Sequence, residues 1–117
     1  IRSIVKTCEY LGIDMQYDIF SKMNLKLPQI KEPDEWALYI TKELGYSTYV
    51  NPPGGMSFFN REKYRKSDID LQFLLQEIIP YRQNRENFMP ALSIIDIMMF
   101  CSCSEICEML CKYKIER

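Results

Sequence analysis

Residues 37–55 read ALYITKELGYSTYVNPPGG, and this stretch decides the fold class. Ala37, Ile40, Thr41 and Leu44 recur at helical spacing, and Gly45 stands where a helix stops. Tyr46 to Val50 is rich in β-branched and aromatic residues, which predicts a strand. Asn51-Pro-Pro-Gly-Gly55 is a strong turn signal. A helix that feeds a strand and then a sharp turn is half of an α/β unit. The other half follows: Asn60 is placed to cap a short charged helix over residues 61–66, and residues 69–75 alternate as a second strand.

Working outward, Ile1, Ile4, Val5, Cys8 and Leu11 share a helical face, and Gly12 ends it. Ile13, Met15, Tyr17 and Ile19 alternate with Asp14, Gln16 and Asp18, which predicts a strand. Residues 21–32 read as a connector, and Pro33 suits the first turn of the next helix. Beyond residue 75 comes a polar loop over 76–91, then helices near 94–101 and 103–113. The order α-β-α-β-α-β-α-α predicts a partial three-layer α/β fold. Its sheet is short, mainly parallel and about three strands wide, flanked by helices and closed by two C-terminal helices. The length of 117 residues suits one domain. The first helix has no preceding strand to pack on, so the pattern reads as the back portion of a larger α/β domain.

Composition narrows the function classes. Fifteen Lys+Arg stand against 16 Asp+Glu, for a net charge of −1. A dedicated nucleic-acid binder carries a basic excess, so no nucleic-acid partner is expected. No apolar run approaches the ~20 residues of a membrane span. His is absent, which excludes His-dependent triads and mixed Cys/His zinc sites. The five cysteines are Cys8, Cys101, Cys103, Cys107 and Cys111. An odd count with no secretion signal points to a reducing, cytoplasmic setting rather than a disulfide framework. Cys103, Cys107 and Cys111 fall at i, i+4 and i+8, but the spacing matches neither a structural zinc pair nor a ferredoxin run. Together with Ile106 and Leu110 they form one apolar stripe, so core packing is expected and no metal or cofactor is assigned.

Ser93 and Asp96 resemble a nucleophile beside an acid. Their S-x-x-D spacing is also close to a capping box, and Leu92 with Ile97 then fits a hydrophobic staple. The capping reading explains four residues at once and is preferred. Ser102 and Glu105 repeat the pattern at the last helix. The run Arg61–Lys66 is expected to be a solvated helix face.

Ligands of open parallel sheets sit beyond the carboxyl ends of the strands. Three loops leave those ends: Ser21-Lys22, Asn51 to Gly55, and Pro80-Tyr81-Arg82-Gln83 running on to Phe88. Gly54 and Gly55 allow a ligand close to the backbone. Asn51, Tyr81 and Gln83 offer neutral hydrogen bonds, and Lys22 and Arg82 offer charge.

The stretch N51-P-P-G-G55, followed by I69-D-L-Q-F-L74, P80-Y-R-Q83 and F88-M-P-A-L-S-I-I-D-I-M-M-F100, resembles the WbqC-like protein family in order and spacing. The front fits as well, with Y10-L-G-I13, I19-F-S21 and K42-E-L-G45 ahead of T48-Y-V-N51. The likeness spans nearly the whole chain but only the C-terminal half of the family's usual sequence. The family's N-terminal half carries an H-Q-P-x-Y-L-P-W motif that does not occur in these residues. One departure is Cys101-Ser-Cys103, where a polar helix start is expected.

Members occur in bacterial O-antigen and other surface-polysaccharide gene clusters. The resemblance implies a cytoplasmic transferase that places glycine or another small group on a sugar, with the sugar or nucleotide sugar as small-molecule partner. It implies Asp96 as the catalytic group, orienting a donor or acting as base. It implies Asn51, Gly54, Gly55, Tyr81, Gln83 and Ser93 as binding positions. The alternative is a noncatalytic fragment or binding module that self-associates through an exposed apolar edge.

Overall fold

The computed structural model describes residues 1–117. The chain packs as two compact units: residues 18–75 with 114–117, and residues 1–17 with 76–113. No helix is long and apolar enough to cross a membrane.

One unit, residues 18–75 with 114–117, holds helices α2 (Glu35–Glu43) and α3 (Arg61–Arg65). It also holds strands β1 (Thr48–Asn51) and β2 (Asp70–Gln76) and the last strand β3 (Tyr113–Glu116). The sheet order is β1-β2-β3. β1 and β2 are parallel, with Tyr49 opposite Leu71 and Asn51 opposite Phe73. Parallel neighbours need a crossover, and residues 52–69 supply it with a 3₁₀ segment, Pro53–Phe58, and α3. β3 runs back along β2: the Glu77 N–H donates to the Lys112 carbonyl at 2.8 Å, and Arg117 meets Asp70 at 3.7 Å at the far end. The fold is a small α/β arrangement with three strands, as the sequence predicts.

The make-up of the sheet differs from that expectation in two places. Residues 13–19 form no strand, and Ile13 and Tyr17 are exposed. The third strand is β3, which follows the last helix, so the chain closes on a strand and the sheet is mixed.

The helix ends follow the glycine rule closely. Gly12 and Gly45 have φ of 68° and 74°. The next N–H closes back across the last turn in each case, Ile13 to Cys8 at 2.9 Å and Tyr46 to Thr41 at 3.0 Å. This is the left-handed closure that favours Gly. Asp68, with φ 57°, plays the same part after α3, where Ile69 N–H reaches the Tyr64 carbonyl at 3.1 Å.

The core of this unit is aromatic. Tyr64 and Phe73 are fully buried, with Leu38, Ile69 and Leu71 around them. Phe59 stacks on Tyr49 and Phe58 and meets Phe73 edge-on at 5.7 Å. The buried side of α2 is Glu35, Leu38 and Thr41, while Leu44 is exposed. The helix forms at the expected spacing, with its core face rotated toward Leu38. The Arg61–Lys66 run is only half a solvated face. Lys63 is partly buried against an acid pair and Tyr64 lies at the centre of the core, because a five-residue helix must bury one side to hold.

The other unit, residues 1–17 with 76–113, holds α1 (Arg2–Leu11), α4 (Ile94–Phe100) and α5 (Cys103–Leu110). Leu11 and Ile106 are its buried residues. The predicted α1 face is only partly used, for Ile1 and Ile4 are 60% and 58% exposed. The cysteines in and just after α5 are not core filler. Cys103 and Cys107 are half-buried and Cys111 is exposed. The Cys103 thiol donates to the Tyr10 carbonyl at 3.5 Å and the Cys107 thiol to the Leu11 carbonyl at 3.7 Å. Those carbonyls close α1 and lack helical partners of their own.

Candidate functional site

The Tyr81–Asp96 pair is the strongest grouping of the expected site residues. β2 hands the chain to an irregular segment, residues 77–93, that begins firmly anchored. The Gln76 side-chain amide donates to the carbonyls of Met109 and Lys112 at 2.7 and 3.0 Å. Further on, Gln83 clasps Met89 twice, accepting from its N–H at 2.9 Å and donating to its carbonyl at 3.0 Å. The clasp closes the loop over residues 83–89. It holds Phe88 so that its ring meets Tyr81 edge-on at 5.5 Å. From that position the Tyr81 hydroxyl donates to Oδ2 of Asp96 at 2.5 Å.

Partial burial pushes the Tyr81 phenol above its ordinary value, and the bond to Asp96 adds to the shift. At neutral pH the proton therefore stays on Tyr81, and the hydroxyl is a standing donor to the carboxylate. This pairing corrects the capping picture at α4. Ser93 does cap the helix, accepting from the Ile95 N–H at 3.3 Å, but Asp96 does not reach back to it. The full reciprocal box forms at α5 instead. There Glu105 accepts from the Ser102 N–H at 2.7 Å while Ser102 accepts from the Glu105 N–H at 3.4 Å. The Ser102 hydroxyl also donates to Glu105 Oε2 at 2.6 Å, and that bond first, then the bond from the Ser102 N–H, hold the Glu105 carboxyl below its ordinary range.

Tyr81 and Phe88 also line an apolar cavity of about 190 Å³ whose further walls include Ile97, Ile106 and Met109. Gln76 and Glu77 are its only polar side chains besides the Tyr81 hydroxyl.

Asn51, Gly54 and Gly55 lie in the unit of residues 18–75 and 114–117. Asn51 accepts from the Tyr49 hydroxyl at 2.9 Å and donates to the Pro52 carbonyl at 2.8 Å, so its side chain braces the turn that carries it. Gly55 is buried beneath it. A Cβ there would come within 2.8 Å of the Asn51 amide nitrogen and 2.9 Å of the Phe59 ring. Gly54 is exposed, and a Cβ there would meet nothing within 4 Å.

Sequence reading missed an acid pair in the same unit. Asp34, 1% exposed, accepts from Lys63 Nζ at 2.9 Å and from the Asn60 N–H at 3.1 Å. Its carbonyl accepts from the Tyr64 hydroxyl at 2.7 Å. Glu35 accepts from the N–H groups of Lys31 and Glu32 at 2.7 and 3.2 Å. These two bonds, with Lys63 as a third donor, hold its carboxyl below the ordinary range. The only available signal was two adjacent acids after Pro33, which by itself looks like an ordinary charged helix start.

The sequence profile of the WbqC-like protein family matches residues 1–108. No curated protein and no solved structure matches the chain.

Proposed function

Because the chain belongs to the WbqC-like protein family, we propose that it takes part in bacterial surface-polysaccharide assembly as a cytoplasmic transferase that places a small acyl group, glycyl or related, on a sugar. The observation that carries this reading is the Tyr81–Asp96 hydrogen bond at the wall of an apolar cavity. In the proposed reaction a sugar hydroxyl or amine attacks the carbonyl carbon of an activated donor. Asp96 takes the proton released by the attacking group. The bond from that carbon to the leaving group breaks, and its electron pair departs with the leaving group. Tyr81 orients the carboxylate by donating to Oδ2, which leaves Oδ1 for the acceptor's proton. Gln83 and Ser93 act here by fixing the loop and the helix start that present the pair. In the unit of residues 18–75 and 114–117, Asn51 and Gly55 shape a turn whose backbone at Gly54 is proposed as a sugar contact.

The test is transfer of an isotope-labelled acyl group to sugar acceptors, followed by mass spectrometry. Removing a general base typically costs about 10²–10⁴-fold in rate, so Asp96→Asn is expected to lose at least ~10²-fold while its urea unfolding stays cooperative. Unchanged turnover in that variant would remove Asp96 from the mechanism. Absence of transfer from every donor would favour a noncatalytic binding module.

A further inference from the structure

We infer that the cavity beside Tyr81 binds a short, uncharged hydrocarbon chain carrying one polar head, so that the group handled by this chain is an aliphatic acyl group of about four to six carbons rather than glycyl. The inference rests on the proposed transfer reading and narrows its donor.

Three observations converge on this class. The first is size. At about 190 Å³ the cavity is smaller than the ~300–1,000 Å³ of sites for drug-sized ligands. It is comparable with apolar cavities of ~150 Å³ that stay dry and take up benzene. A nucleotide sugar does not fit such a space, whereas a short chain does.

The second is lining. Apart from Gln76, Glu77 and the Tyr81 hydroxyl, every wall is aliphatic or aromatic. The Gln76 amide is already held by the Met109 and Lys112 carbonyls. Glu77 is exposed to solvent, so an ammonium group placed among the apolar walls rather than beside that carboxylate would lose its hydration, at a cost that a methylene chain does not meet.

The third is access and polarity. Ile106, 1% exposed, is the most buried wall, whereas Ile78 and Leu110 are 56% and 37% exposed. The cavity therefore opens to solvent on one side and ends against the core on the other. The Tyr81 hydroxyl, fixed by Asp96, supplies the one oriented polar group for the head of the ligand. Its one proton is committed to Asp96, so the hydroxyl accepts from the ligand, and a chain with an amide N–H at one end matches that distribution.

The experiment is equilibrium binding of primary amides to the full chain, followed by two-dimensional NMR. The probes are acetamide, butyramide, hexanamide, octanamide and glycinamide. Each buried CH₂ is expected to tighten binding about fourfold, with the gain stopping near hexanamide and glycinamide binding no better than acetamide. Leu110→Trp, which fills the cavity from its exposed side, is expected to abolish the dependence on chain length. Ile97→Ala, which enlarges the cavity, is expected to move the optimum toward octanamide, and it serves as a second variant should the first fold poorly. Absence of binding, glycinamide binding as tightly as hexanamide, or an optimum unmoved by both variants would overturn the inference. Chain-length-dependent binding in a protein that transfers nothing would uphold it while removing the transferase reading. Efficient glycyl transfer with flat amide binding would do the reverse.

Discussion

Lys63 Nζ lies 2.9 Å from Oδ1 of Asp34, a carboxylate whose side chain is 2% exposed. The Lys63 side chain is 27% exposed, so the pair is a buried acid served by a lysine reaching in from solvent. The bond to Asp34 raises the Lys63 pKa despite some desolvation. Breaking a buried pair from one side leaves an uncompensated charge. Lys63→Met is expected to destabilise the fold by about 1–3 kcal/mol, below the full buried-pair cost because Lys63 is partly solvated. Asp34→Ala removes in addition the acceptor for the Asn60 N–H and is expected to cost more, about 2–4 kcal/mol. Urea midpoints of the two variants check the order. Equal stability in both variants and the parent would show that the network does not bind α2 to α3.

Glu35 gives the unit an acid-sensitive contact. Its folded pKa lies below its ordinary value, chiefly through the Lys31 N–H and next through the Glu32 N–H. A depressed carboxyl stabilises the fold fully above its unfolded pKa, near 4.5. That contribution disappears as pH falls through the folded value. The parent should therefore lose stability steadily below about pH 4.5, and Glu35→Gln should show a shallower acid slope from a lower starting point. Thermal midpoints between pH 3 and pH 7 decide it; parallel curves would exclude Glu35 as the source.

The two glycines of the Asn51–Gly55 turn should behave oppositely. An alanine methyl at Gly55 must displace the Asn51 amide or the Phe59 ring, both within 3 Å. Overpacking of this kind costs about 1–3 kcal/mol. At Gly54 there is open space and no positive φ, so Gly54→Ala is expected to be neutral or to stabilise by about 0.4–1 kcal/mol through the unfolded chain. If the Gly54 backbone contacts a sugar, that variant should weaken sugar binding without losing stability. Equal melting temperatures for the two variants would contradict the packing at Gly55.

Local rules were legible in the residues, and tertiary ones were not. Gly12 and Gly45 end helices, Asn60 caps α3 and Ser102 boxes with Glu105, because each depends on a few adjacent groups. β1 and β2 were readable from β-branched and alternating runs. Residues 13–19 alternate just as well, yet a strand exists only by pairing, and no partner adjoins them. β3 occupies four residues immediately after α5, too short for alternation to outweigh the helical pattern before it. At the candidate site the residue types were visible and the bonding was not. Asp96 at S-x-x-D spacing has two donors to choose between, and only the fold brings Tyr81, fifteen residues upstream, close enough to supply the bond. The same holds for Asp34, whose burial is set by Asn60 and Lys63 from a distant helix.

Tyr81 should ionise late, and Asp96 should be part of the reason. Its phenol pKa is raised by desolvation first and by the Asp96 carboxylate next. A raised folded pKa contributes stability below the unfolded value near 10, and that contribution is lost as pH rises through the folded value. Tyrosinate absorbance, read as the difference between parent and Tyr81→Phe, should appear above pH 10. In the Asp96→Asn background the same difference signal should move to lower pH, toward but not reaching the ordinary value, because burial persists. A signal unmoved by Asp96→Asn would mean that the two groups do not interact in solution.

The cysteines in and just after α5 should label in a fixed order. Cys111 is exposed, whereas Cys107 is half-buried and its thiol donates to the Leu11 carbonyl. Desolvation, followed by its bond with Cys103, pushes the Cys107 thiol pKa up. The thiolate is the reactive form, so Cys107 suffers twice, from lower access and from a smaller thiolate fraction at neutral pH. Brief treatment with iodoacetamide under native conditions, followed by peptide mass spectrometry, should modify Cys111 first and Cys107 well behind it. Denaturant should remove most of the difference, because access and hydrogen bonding both vanish with the fold. Cys107→Ala tests the structural side of the same contact. It deletes a donor to the end of α1 and should increase hydrogen exchange at Gly12 and Ile13, whose N–H groups close that helix. Native labelling in which Cys107 leads Cys111 would show that α5 does not pack its thiols against α1 as described.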